Sequence, residues 1–283
     1  MLFNSRTLVK SSSSLIDLSK EVSQVDGDGK AVTLVSGDYL YLGSDLPFTQ
    51  RYFRLGAVVN SAAGTLDKVE IWDGREWKEA VDTQDWTEQG GKTLARSGFI
   101  SWVTPKNVSW ALESSTENMD GSGLESLHIY EKHWVRISFA GSLTAAIVLK
   151  YVGYCFSDDQ KLRLIFPDLL KDEVLEAFES GKTDWEDQHI LASDEVVRYL
   201  ARNRELITAD QIMNWQRFSM AAAYKCAELA YTAFPSDDLE DMRKRAESGF
   251  YRAINQTFKE IDRNEDGHAQ PKERRSTSGF FRG

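Results

Sequence analysis

The stretch Asp262-Arg263-Asn264-Glu265-Asp266-Gly267, followed by Glu273, carries the residue types of a calcium loop. Asp262, Asn264, Asp266 and Glu273 fit the pattern D-x-N-x-D-G-x5-E. In that pattern side-chain oxygens converge on a hard cation and the glycine makes the sharp turn. An apolar-striped helix precedes the stretch, as the motif requires. The outgoing side breaks the pattern. Pro271 sits inside the loop, Ala269 replaces the usual branched apolar residue, and Arg274 to Gly283 reads as coil. The competing reading is a polar helix stop in which Asp, Asn and Gly make a turn. The sequence therefore predicts weak or no calcium dependence, and no cofactor.

Other patterns carry less chemistry. Gly90-Gly91-Lys92-Thr93 ends like a phosphate-binding loop, but Trp86 stands where the first glycine belongs and no helix signal follows. A hairpin turn explains it better. His128, His133, His189 and His268 lack zinc spacing with cysteine or with one another. His189 lies on an apolar stripe and reads as a satisfied core residue. There is no G-x-S-x-G elbow. The pairs Asp158-Asp159 and Asp237-Asp238 suit helix and turn starts. No catalytic constellation emerges, and the expectation is a protein that is not an enzyme.

The elements around the calcium-like stretch are helical. Thr183 or Asp184 caps a first helix with Trp185, His189, Ala192, Val196 and Leu200 on one face. Thr208 caps a second, expected to run to about Phe234 before Pro235, about 40 Å long. It is rich in alanine: Ala221, Ala222, Ala223, Ala227, Ala230 and Ala233. Small residues let helices approach closely, and this surface exceeds what one antiparallel neighbour uses, so it points to self-association. Ser236 or Asp237 caps a third helix with the stripe Met242, Ala246, Phe250, Ile254, Thr257 and Ile261. Beyond it the tail carries Lys272, Arg274, Arg275 and Arg282 against the single acid Glu273, with Phe280 and Phe281 near its end. Aromatic residues flanked by arginine suit an ordered contact segment. Arg274, Arg275, Phe280, Phe281 and Arg282 are thus candidate partner-binding residues.

The helices of this order, the D-x-N-x-D-G stop and the basic Arg-Gly ending resemble the head-to-tail connector (neck adaptor) proteins of tailed bacteriophages. The resemblance rests on Trp185, Ala192-Ser193-Asp194-Glu195-Val196, Asp262, Asn264, Asp266, Gly267, Arg282 and Gly283, in the C-terminal helical part. It implies a homo-oligomeric ring of about twelve subunits beneath the portal. It also implies C-terminal tails reaching onto the portal protein, tail or nozzle proteins as further partners, and DNA only in passage through the channel. The place implied is the virion neck, with assembly in the host cytoplasm.

The chain ahead of the helices changes period. From Ala31, short strands alternate with turns: Tyr39–Gly43, Arg51–Val59, the pair Val69–Trp72 and Glu76–Lys78 around Asp73-Gly74, Phe99–Val103, Trp134–Phe139 and Ile147–Tyr154. Asp73-Gly74 signals a two-residue hairpin. Glu113–Glu125 reads as an exposed loop. The fold class expected is α+β: an N-terminal antiparallel β-sandwich or jelly-roll-like domain, then an all-α helical bundle and an extended C-terminal tail. The boundaries are a 1–30 arm, a 31–167 sandwich ending in a strand over Asp158–Pro167, a 168–261 helical domain and a 262–283 turn and docking tail. Tryptophans on the strands read as core or cross-strand pairs; an exposed set would suit a sugar-binding face. That supplies the alternative function, a carbohydrate- or host-surface-binding sandwich with a helical oligomerisation region.

The 283 residues suffice for two domains, and 41% hydrophobic content suffices for their cores. A formal net charge of −10 argues against general nucleic-acid binding. No apolar run spans a membrane, and Ser11–Ser14 interrupts any signal-peptide core. Cys155 and Cys226 are expected reduced, one in each domain.

Overall fold

The computed structural model describes residues 5–11, 14–113, 132–203, 208–234, 237–257, 259–268 and 274–275. The chain forms two compact units. The first comprises Met1–Gly153 with Asn264–His268, and the second Tyr154–Arg263 with Ala269–Gly283.

The first unit contains two antiparallel sheets. One has six strands in the order β2-β1-β4-β10-β6-β7: β1 Arg6–Ser11, β2 Ser14–Asp17, β4 Tyr39–Ser44, β6 Thr65–Trp72, β7 Trp77–Glu79 and β10 His133–Ala140. The other has five, in the order β3-β11-β5-β9-β8: β3 Lys30–Val32, β5 Gln50–Leu55, β8 Val81–Asp85, β9 Gly98–Val103 and β11 Ile147–Gly153. Alternate residues point inward, as a pleated strand requires. Leu40 and Leu42, Val69 and Ile71, and Val135 and Ile137 share one core with Phe53 and Leu55, Ile100 and Trp102, and Ile147 and Leu149. This is the expected α+β class, with sandwich-like sheets ahead of the helices.

Three details differ from the sequence reading. Residues 1–30 are not simply an arm. β1 pairs with both β2 and β4, and Leu8, Val9, Leu18 and Val22 are buried. At the ends of β1 and β2, Ser11 pairs with Ser14, and their hydroxyls lie 2.9 Å apart. The hairpin at Asp73-Gly74 has four loop residues, since Trp72 pairs with Trp77. Asp73 Oδ1 accepts the amides of Arg75 and Glu76, both at 2.8 Å, and that Asx turn sets the longer loop. Finally, the sheets end at Gly153. Asp158–Pro167 is no strand. Asp158 accepts the Lys161 amide and caps α1 Asp159–Ile165, and Pro167 opens a 3₁₀ turn to Leu170. Leu162, Phe166 and Leu169 then fall at helical spacing into the helical core. The unit boundary lies at 153/154 rather than 167.

The second unit adds α2 Asp172–Phe178, α3 Glu186–Arg202, α4 Ser219–Thr232 and α5 Asp237–Gln256. The α3 stripe is as expected: Trp185, His189, Ala192, Val196 and Leu200 are all buried. Asp184 Oδ1 accepts the Glu186 amide at the entry. The expected 40 Å second helix is broken. Thr208 and Gln211 form a capping box, but over one 3₁₀ turn, Ala209–Gln211. Ile212 then leaves to bridge Ile261. A second 3₁₀ turn, Trp215–Phe218, precedes α4, which at about 1.5 Å per residue is roughly 21 Å long.

Apart from the exposed Ala233, the alanines are spent inside the chain. α4 packs on α1, α3 and α5, and Ala221, Ala222, Ala223, Ala227 and Ala230 are fully buried there. On α5, Gly249 lies beneath the Tyr224 ring, where any Cβ would overlap the ring. The argument for self-association from surplus alanine surface therefore fails: three helices of the same chain use it. On α5 the stripe holds at Ala246, Phe250 and Ile254, while Ile261 lies beyond the helix.

Candidate functional site

The described residues of the calcium-like stretch take partners within the protein. Asp262 is buried in the second unit, where its amide donates to Gln211 O at 2.8 Å. Asn264 and Asp266 belong to the first unit. There both Asp266 oxygens are engaged: Oδ1 accepts the His268 amide and Oδ2 accepts Asn264 Nδ2, each at 2.8 Å. Glu273 lies outside the described residues. Among the described residues no group of three His, Cys, Asp or Glu side chains could hold a metal ion.

What the motif builds instead is a docking turn. Gly267 takes φ +77°, which side chains with a Cβ rarely adopt. A Cβ there would overlap Cδ1 and Nε1 of Trp110 and press on Pro47 at 3.2 Å. His268 Nε2 reaches Val108 O at 3.3 Å. Trp110 is itself fixed, donating to Thr104 Oγ1 at 2.9 Å and packing on Phe48 at 5.5 Å. The glycine that a calcium loop needs for its turn is here needed for close approach to an indole.

The segment around this turn does not run as free coil. β12, Lys259–Glu260, pairs antiparallel with β13, Arg274–Arg275, through Lys259↔Arg275 and Glu260↔Arg274. Two of the five candidate partner-binding residues thus have their backbone in a ladder with their own chain. The extended-tail reading is corrected at those positions: β12 offers an open edge, and pairing with it satisfies backbone groups that a coil would leave to water. Phe280, Phe281 and Arg282 lie outside the described residues.

One constellation was not visible in the sequence. Ser157 Oγ lies 2.7 Å from His189 Nδ1, and His189 Nε2 lies 3.2 Å from Asp159 Oδ1. A carboxylate only accepts, so Nε2 carries the proton and Nδ1 accepts from the Ser157 hydroxyl. The residue types are those of an acyl-transfer triad, but here Ser157 and His189 are buried. Ser157 is 6% exposed and His189 1%, so the set lies within the packed helical unit. The set ties the start of α1 to α3. Ser193 extends it, taking the Phe156 amide at 2.7 Å and donating to His189 O. The sequence hinted at this only through the stripe position of His189.

Both cysteines sit in the second unit, not one per domain, because the boundary precedes Cys155. They are buried free thiols, and burial pushes both well above the usual thiol range, so they hold little thiolate.

The remaining candidate is the outward face of the six-stranded sheet. Leu8, Tyr41, Trp72 and Trp134 form a buried cluster there, with Tyr39 and Trp77 half-buried against it. Arg136 makes a bidentate pair with Glu70, at 2.6 and 3.1 Å, and stacks over Tyr39 and Trp77 at 4.5 and 4.7 Å. Gly43 allows Trp134 to lie across β4, since a Cβ would come within 2.6 Å of the ring. The indoles of Trp72 and Trp134 are wholly buried, so they offer no ring face to a sugar. Cross-strand packing accounts for them.

Comparison with family models, with curated proteins and with solved structures gives no match.

Proposed function

We propose that the protein is a structural subunit of a bacteriophage neck, an adaptor that joins the portal to the tail within a homo-oligomeric ring in the virion. The observation that supports this best is the plan of the C-terminal half. A helical body holds α4 between α1, α3 and α5. Beyond α5 the chain runs through a strand, a glycine docking turn and a second strand, and then carries Phe280, Phe281 and Arg282. Residues that carry the adaptor resemblance do defined work in this plan. Trp185 opens α3, buried, and donates to Leu169 O at 2.8 Å. Ala192, Ser193 and Val196 face the core. Gly267 makes the docking turn.

The reading is structural rather than enzymatic, in keeping with the closed Ser157–His189–Asp159 set. The ring itself rests on the resemblance, since the alanine surface is already occupied. Portal protein, tail or nozzle proteins and other copies of this chain are the partners, with DNA passing through the channel.

Negative-stain imaging of the purified protein, alone and mixed with its portal ring, tests the proposal. A closed ring of added density on one face of the portal is expected. Bare portal rings beside unattached protein would overturn the reading.

A further inference from the structure

β12 has two edges that are held very differently. On one edge the Asp262 amide donates to Gln211 O at 2.8 Å and the Met213 amide to Glu260 O at 3.0 Å. Ile212 bridges Ile261, both buried, and Gln211 Nε2 donates to Asp262 O at 2.9 Å. The Thr208–Gln211 capping box and the hydrogen bond from the Tyr154 hydroxyl to Asp210 fix that side further. The other edge pairs with β13 through Lys259↔Arg275 and Glu260↔Arg274. The template is therefore built by the helical unit without help from β13.

The connection between the strands is also unusual. Residues 261–273 separate Glu260 from Arg274. Hairpin loops run to roughly two to five residues, and a loop of that length would force pairing within one chain. A connection as long as 261–273 does not.

We propose that β12 is an exchange site, and that in the assembled state its outer edge takes the β13 segment of a neighbouring copy of this chain. The inference rests on the ring reading for the presence of that neighbour. The occupant already fits, because the chain's own Arg274–Arg275 occupies the edge. An identical strand on an identical edge reproduces both pairs in trans. Exchange of identical elements between copies is a low-cost route to association, and repetition around a ring would make each subunit hold the next by its backbone.

Register partners give the test. Full-length Glu260→Cys and tagged full-length Arg274→Cys chains are co-expressed, purified with their oligomeric state followed by light scattering, and mildly oxidised. The wild type, with its buried Cys155 and Cys226, sets the background. The expected result is a disulfide dimer joining tagged and untagged chains, at least tenfold above either same-variant dimer and confined to the associated fraction. The double variant E260C/R274C should give ladders of linked chains there. Associated protein in which the double variant bridges only within a chain would overturn the exchange and leave the ring standing. A monomer at every concentration, with portal as well as without, would overturn both.

Discussion

Gly267→Ala is the sharpest probe of the docking turn. A Cβ at φ +77° costs about 1–2 kcal/mol for a residue in the left-handed region. The same Cβ overlaps the Trp110 indole, and overpacking a well-filled site adds roughly 1–3 kcal/mol. The indole cannot yield freely, since Thr104 holds its Nε1 and Phe48 its ring. A loss of about 3 kcal/mol in a unit of this size corresponds to a fall of roughly 6–12 °C in melting temperature. If the strain exceeds what the docked turn contributes, the turn lifts off and the fall is smaller. Limited proteolysis should then cut between Arg263 and Arg275 in the variant and spare the wild type. The assay is thermal unfolding of G267A, W110A and the double variant, each with millimolar calcium and with chelator. The Gly267 effect should shrink in the W110A background by the overlap share, and calcium should change nothing. A G267A protein that melts within 1 °C of the wild type with the same cleavage pattern would refute the docking argument. A melting temperature restored by calcium would revive the cation-site reading.

Ala222→Leu should destabilise the isolated chain by about 1–3 kcal/mol in chemical unfolding, because the residue is fully buried on a helix packed by three others of the same chain; a variant that unfolds normally and fails only to assemble would contradict this. Gly249→Ala, which raises helix propensity by about 1 kcal/mol, should still lower stability through Tyr224. Ser157→Ala leaves His189 Nδ1 buried without its donor and should cost about 1–3 kcal/mol, read as a lower urea midpoint for the helical signal. Burial pushes the Tyr41 phenol up to about 12, against the pull of Arg136. Its contribution is therefore fully present below pH 10 and is lost as pH rises through about 12, a loss of about 2–3 kcal/mol. Urea titrations of wild type and Tyr41→Phe should show a steeper loss over that range in the wild type, the slope left in the variant coming from Tyr231, whose phenol burial also pushes up to about 12.

The legible parts of this chain were those in which one period ran long enough to dominate. The α3 stripe from Trp185 to Leu200 and the alternation in β4, β6 and β10 gave both elements and faces. Short segments were less readable. Leu8-Val9 is too brief to show a period, and Leu162–Phe166 suits strand or helix until Asp158 is seen to cap it. The break before α4 follows from tertiary pairing of Ile212 with Ile261, which no local signal carries. The calcium motif was readable as residues but not as chemistry. Asp266 turns back onto the His268 amide beside Gly267, which lies against Trp110, a residue far away in sequence. The Ser157–His189–Asp159 set was hidden for the same reason, since it joins residues of α3 to the segment that opens α1.

Attachment to the portal is the central claim, and deletion of Ser276–Gly283 tests it most directly. Full-length and truncated protein are compared for thermal unfolding and for co-sedimentation with purified portal rings. The account predicts that both unfold at the same temperature and that only the full-length chain sediments with portal. Truncated protein that sediments equally well, or full-length protein that does not sediment with portal at all, would contradict it.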